Sequence, residues 1–95
     1  MNRLKSPIDV SVVIDIYQVG ITVRYLSYNR LDYVIYSICD ATSKQVLARE
    51  GEFWQVQLRL RNSISRSSEN RDAIVEAVKA ECRKRPDYAV EEFFN

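Results

Sequence analysis

The chain has 95 residues, 46% of them hydrophobic and 28% charged, which predicts one globular domain with a single core. Its formal net charge of +1 argues against a strongly basic nucleic-acid-binding protein and against a polybasic membrane anchor. No stretch approaches the roughly 18 apolar residues of a membrane span, and no signal-peptide core precedes Pro7, so we expect a cytoplasmic protein.

The first part of the chain alternates apolar and polar residues, which predicts strands. Residues 8–17 place five β-branched side chains on one side in period two, and residues 20–28 resume the alternation. Gly20 lies between the two runs, so we expect a turn at 18–20 and an antiparallel hairpin around it. Residues 1–7 are expected to form a flexible N-terminus.

Three further strands are predicted, at about 33–39, 45–49 and 53–61. The first of these is apolar on both sides, which indicates a central place in the sheet or a partner lying over it. The last alternates strictly, and its apolar side is expected to face the core with four side chains: Trp54, Val56, Leu58 and Leu60.

The pattern then changes to helical spacing over about 69–85, where an apolar stripe recurs every three or four residues. Ser67 or Ser68 is expected to cap this helix, and Pro86 to end it. Residues 86–95 are predicted to form an acidic, aromatic tail with a short helical stretch. The predicted fold is therefore a single α+β domain, with an antiparallel meander of about five strands, one helix packed on one sheet face, and a short helical tail.

The residues needed for most catalytic or metal-binding chemistry are missing. The chain has no histidine and only two glycines, which excludes a histidine-based nucleophile and a glycine-rich phosphate loop. Cys39 and Cys82 fit neither a disulfide framework nor a zinc-ligand spacing, and we expect both to be reduced and buried. We therefore predict no catalytic residues, no cofactor and no metal. An enzyme that uses carboxylates, or that completes its site across a dimer, is a weaker third hypothesis.

One helix covers only one face of such a sheet, so the opposite face must meet water, a second subunit or a partner. The polar side of the predicted fifth strand, together with residues of the second strand, is the candidate binding face: Arg24, Tyr28, Phe53, Gln55, Gln57, Arg59 and Arg61.

Two functions are consistent with this face. The first hypothesis is a non-enzymatic accessory or regulatory factor that binds another protein or itself as a homodimer, through its sheet face or edge. The alternative is a single-stranded DNA or RNA binder, because aromatic rings stack on bases while arginines neutralise phosphates. The C-terminal Phe93 and Phe94 either close the core or dock into a partner.

Overall fold

Four antiparallel strands followed by two helices form the fold in the computed structural model, which describes residues 3–27, 30–48 and 54–85. The strands are β1 (Arg3–Ile14), β2 (Tyr17–Leu26), β3 (Leu31–Asp40) and β4 (Val46–Ala48), and the helices are α1 (Trp54–Arg66) and α2 (Ser68–Arg83). The sheet order β1-β2-β3-β4 is a meander, so the predicted α+β class and antiparallel sheet are confirmed. The predicted tail 86–95 lies outside the described residues.

The first hairpin turns earlier than the sequence predicted. Asp15 has a φ of 59°, a left-handed conformation that aspartate tolerates better than most residues, and the turn is formed by Asp15 and Ile16. The carbonyl of Ile16 accepts a hydrogen bond from the N–H of Ala41 at 2.9 Å, which holds this turn against the end of β3. β1 begins at Arg3, so the first strand is longer at its start than the predicted range of 8–17.

The core lies on one face of the sheet, which we call the inner sheet face. Val10 pairs with Ile21 and Val12 with Val19, and all four side chains are buried. Both helices cover this face, and their buried side chains join the same cluster: Leu60, Ile64, Ile74, Val78 and Cys82.

The predicted helix at 69–85 is confirmed by α2, which runs over Ser68–Arg83. Of the two candidate caps, Ser67 is the one used, because its side chain accepts a hydrogen bond from the N–H of Asn70 at 3.3 Å. Arg71 in the first turn of α2 donates to the carbonyl of Ser27, which ties this helix to the end of β2.

The predicted fifth strand over 53–61 is wrong, because Trp54–Arg66 forms helix α1. Val56, Leu60 and Ile64 are four residues apart and line the core side of the helix, whereas Leu58 is 52% exposed. Positions 56 and 60 satisfy both a two-residue and a four-residue repeat, which is why the short alternation imitated a strand. The side chain of Trp54 lies outside the described part of the structure.

Two irregularities shape the sheet near its middle. Gly20 pairs with Ser37 and Ile21 with Ile35, so that Tyr36 is an extra residue on β3. Arg24 is similarly extra on β2, because Val23 pairs with Tyr33 and Tyr25 with Asp32. Such β-bulges increase the local twist and redirect the side chains beside them.

Candidate functional site

The predicted binding face falls on two different elements. Tyr28 and Phe53 lie outside the described residues, and Arg24 is an exposed residue of β2. The other four residues lie on α1, where they cannot form one row, because successive helical residues turn by about 100°.

Helical geometry divides these four residues into two pairs. Gln55 and Arg59 are exposed on the outward side of α1 and line an open groove. Gln57 and Arg61 lie on the sheet side of the helix and contact β3. The structure therefore separates residues that the strand pattern had placed side by side.

One cavity, of about 380 Å³, brings Arg24 and Arg61 together. Arg24 Nη2 lies 3.1 Å from Asp32 Oδ1, and the Arg61 guanidinium stacks over the ring of Tyr33 at 5.7 Å from its centroid. Leu31 and Ser65 complete the lining. Within this cavity Arg24 is paired with Asp32, and Arg61 is paired with the ring of Tyr33. The positive charge of the cavity is therefore partly neutralised.

Burial raises the pKa of the Tyr33 hydroxyl, and the nearby Arg61 guanidinium opposes that rise. The Arg24–Asp32 pair is about half exposed, and exposed pairs of this kind contribute at most about 1 kcal/mol to stability. The arrangement orders side chains at the sheet margin.

Gln57 has a structural contact instead of a free surface. Its Nε2 donates to the backbone carbonyl of Ile35 at 3.2 Å. Among the described residues, β4 pairs with β3 only at Ile38 and Cys39, so this contact lies beyond the end of that pairing. Gln57 would consequently have to lose its hydrogen bond to the sheet in order to bind a ligand.

The face of the sheet opposite the core, which we call the outer sheet face, carries an ordered polar network. The Thr22 hydroxyl donates to Asp9 Oδ1 at 2.5 Å, across the β1–β2 pair. Gln18 donates to Ser11 Oγ at 2.9 Å and accepts from Lys44 Nζ at 2.6 Å. These bonds order polar side chains of neighbouring strands and of the β3–β4 connection on this face.

Large apolar side chains stand among these polar groups. Val13 on β1 is 59% exposed, Tyr36 on β3 is 51% exposed, and Val46 on β4 is 60% exposed. Val34 on β3 adds a further exposed side chain. No described helix lies on this face, and sequence reasoning missed these residues as a group. The third predicted strand carried a signal for them, because it is apolar on both sides although only one side packs in the core.

The outward side of α1 forms a second open surface, a groove of about 450 Å³. All of its described lining residues come from the helix itself: Gln55, Leu58, Arg59, Asn62, Ser63 and Arg66. No acidic side chain is among them.

Other chemistry finds little support in the described residues. No group of three or more histidine, cysteine or carboxylate side chains within 3–27, 30–48 and 54–85 is arranged to hold a metal ion. Cys39 and Cys82 are both free; Cys82 is buried as expected, whereas Cys39 is only partly buried. Burial raises the pKa of the Cys82 thiol, which disfavours the reactive thiolate. Across the same residues, no helix has the length and apolar character required to cross a membrane.

Comparisons of the chain with protein families, curated proteins and solved structures find no match. The two open surfaces are therefore interpreted from their own geometry and chemistry.

Proposed function

We propose that this chain is a non-enzymatic binding protein that pairs with a second copy of itself through the outer sheet face. The observation that carries the proposal is the concentration of exposed apolar side chains there: Val13, Val34, Tyr36 and Val46. Exposed apolar residues scattered singly need no explanation, but a group on one sheet face that no described helix covers favours an interface.

The charges of the outer sheet face support a second copy as the occupant. Asp9 lies on β1 at one side of the face, and Lys44 bonds to Gln18 from the β3–β4 connection at the other side. A two-fold axis matches each patch with itself, so a face that carries one acid and one base can complement its own copy. Two such sheets stack about 10 Å apart, with side chains interdigitating between them.

The affinity of this dimer is expected to be modest. Burying the exposed part of these side chains contributes roughly 1 to 2 kcal/mol each. Two copies supply eight of them, or roughly 8 to 16 kcal/mol, against an association cost of about 4 to 15 kcal/mol. Because the two ranges largely cancel, we expect a weak dimer whose population depends on protein concentration.

Single-stranded nucleic acid on the sheet receives less support. Tyr36 is the one ring that the described residues expose on the outer sheet face at more than half of its area. Arg59 and Arg61, expected to neutralise phosphates there, belong to α1 on the other side of the sheet. A neutral face with one such ring suits a protein better than a polyanion.

A cytoplasmic location and the absence of catalysis belong to the same proposal. Two free cysteines, one of them buried, are consistent with a reducing compartment. The absence of histidine from the chain and the unreactive setting of Cys82 favour binding over catalysis.

Sedimentation equilibrium over about 1 to 200 μM tests the dimer. The wild-type mass should rise from 11.1 kDa towards twice that value. Val13→Lys combined with Val34→Lys should stay monomeric, because each lysine places an unpaired charge in the interface. Leu58→Lys is the control, since Leu58 is an apolar residue on α1 whose exposure, 52%, lies between those of Val13 and Val34.

The control should associate like the wild type, and circular dichroism should show all variants folded. A wild-type mass of 11.1 kDa at every concentration would end the proposal. Equal loss of association in Leu58→Lys would move the interface to α1.

A further inference from the structure

The outward side of α1 carries one narrow stripe of polar side chains. They recur at spacings of four, three and four residues, which places them on one line along the helix, roughly 16 Å long at 1.5 Å per residue. We call this line the α1 stripe, and all of its members are exposed: Gln55, Arg59, Asn62 and Arg66. The buried Leu60 and Ile64 face the opposite way, towards the core.

The charge of α1 is unbalanced. Its 13 residues include three arginines and no acidic residue. Arg61 stacks on Tyr33, but neither Arg59 nor Arg66 has a carboxylate partner among residues 3–27, 30–48 and 54–85. Within those residues, nothing competes with another molecule for the charge and the donors of the two cations of the α1 stripe.

The amides of the stripe likewise have no described partner. Gln55 and Asn62 form no side-chain hydrogen bond with the part of the chain that the structure describes, whereas Gln57 on the sheet side is bonded to Ile35. Each free amide offers both a donor and an acceptor in one plane. Leu58 stands beside the stripe with 52% of its surface exposed.

We propose that the α1 stripe is a docking surface for duplex DNA, with α1 lying in the major groove. The major groove admits an α-helix, and its base edges are read by arginine on guanine and by asparagine or glutamine on adenine. The stripe consists of these three residue types alone, and Leu58 can contact a thymine methyl group. This function goes beyond self-association and involves a different side of the molecule.

Other polyanions match the stripe less well. A single strand is held by bases stacked on aromatic rings, and the groove along the stripe has no ring among its described lining residues. The major groove of an RNA duplex is too deep and narrow for side chains to read. An acidic peptide needs donors only, whereas half of the stripe consists of amides that present donors and acceptors together.

The remaining charge distribution limits the expected affinity. The net charge of +1 supplies little attraction beyond the stripe, so binding should be weak and should depend steeply on salt. Because α1 covers the inner sheet face, its outward side lies across the molecule from the outer sheet face. DNA binding and self-association can consequently be tested independently of each other.

Fluorescence anisotropy of the full chain with a labelled mixed-sequence DNA duplex of about 20 base pairs tests the proposal, at about 25 and 150 mM NaCl. Arg59→Gln with Arg66→Gln should weaken binding about tenfold at low salt. The slope of log affinity against log salt should fall by about 1.8, since two phosphate-neutralising charges are lost. Arg83→Gln with Lys84→Gln is the matched control, because it removes the same charge from the exposed end of α2 and should leave affinity near the wild-type value.

Competitors of the same length and charge identify the partner: single-stranded DNA, duplex RNA and polyglutamate. The proposal holds if duplex DNA competes best and the control pair binds like the wild type. It is overturned if nothing binds at low salt, if any other competitor displaces the probe equally well, or if both arginine-to-glutamine pairs lose the same affinity. Thermal melting of each variant establishes that the proteins being compared are folded.

Discussion

The aromatic ring of Tyr36 lies over Gly20, and a Cβ built on Gly20 would come within 2.6 Å of the Cε2 atom of that ring. Glycine at this strand position therefore provides space for the extra residue of the β3 bulge. The Tyr36 ring in turn covers the backbone at Gly20, which has no side chain of its own to cover it.

Gly20→Ala should destabilise the fold by about 1 kcal/mol, because the steric cost of a forced shift exceeds the intrinsic gain of replacing glycine in a strand. In a Tyr36→Ala background the loss should shrink towards zero, since the Ser37 hydroxyl that also lies near the site can rotate. Urea unfolding of the four proteins measures this coupling. An equal loss in both backgrounds would show that the ring does not require the glycine.

The packing of α2 predicts a large effect at its centre. Ile74 is fully buried, so Ile74→Ala should lower the free energy of unfolding by roughly 2 to 5 kcal/mol through lost burial and a residual cavity. The same substitution at Ile16, which is 60% exposed in the first turn, is the matched control and should cost far less. Urea unfolding at one fixed protein concentration compares the two, and similar losses would contradict the assigned packing.

The cap of α2 distinguishes two neighbouring serines. Ser67 accepts a hydrogen bond from the N–H of Asn70, and Ser68 is exposed within the helix. Ser67→Ala should therefore destabilise the protein by about 1 kcal/mol. Ser68→Ala should be nearly neutral in the same thermal or urea measurement. If the larger loss occurred in Ser68→Ala, the helix would begin one residue later than described.

The connection between β3 and β4 predicts that the stability of the fold depends on pH in the acidic range. The backbone N–H groups of Ser43 and Thr42 donate to Asp40 Oδ1 at 2.8 and 2.9 Å and hold the pKa of this carboxyl below its ordinary value of 3.8. A carboxyl with a depressed pKa stabilises the folded state above its unfolded pKa, and this contribution is lost as pH falls through the folded value.

Asp40→Asn keeps an acceptor oxygen but removes the titration. The stability difference between wild type and variant should be present at about pH 6 and should shrink at about pH 2.5. Urea midpoints at the two pH values measure it. A difference that stays constant with pH would exclude a role for the Asp40 charge.

The sequence predicted the sheet better than its connections. Period-two patterns predicted β1 and β2, because one face of each strand packs in the core, and a run that is apolar on both sides predicted β3. The first turn was misplaced because Gly20 was interpreted as a turn residue, whereas Asp15 adopts the left-handed conformation and Gly20 serves the packing of Tyr36. Local sequence does not reveal which neighbour a glycine accommodates.

The binding face was predicted with less success, for a related reason. The alternating chemistry of residues 53–61 predicts a strand, but Ile64, which lies after this stretch, completes a helical repeat with Val56 and Leu60. Arg59 consequently lies on the outward side of α1 and not on the sheet. The exposed apolar residues of the outer sheet face were not predicted. The reason is that the rest of the fold decides which side of a strand is covered.

The bond from Gln57 to Ile35 has a consequence for the margin of the sheet. A side-chain amide carries the same donor as a peptide group, so Gln57 gives β3 a hydrogen bond of the kind that a neighbouring strand would supply. The segment expected to extend the sheet as a fifth strand thus contributes to β3 after all, with a single amide in place of a row of backbone groups. The outward side of α1, which carries Arg59 and Arg66, takes no part in this contact.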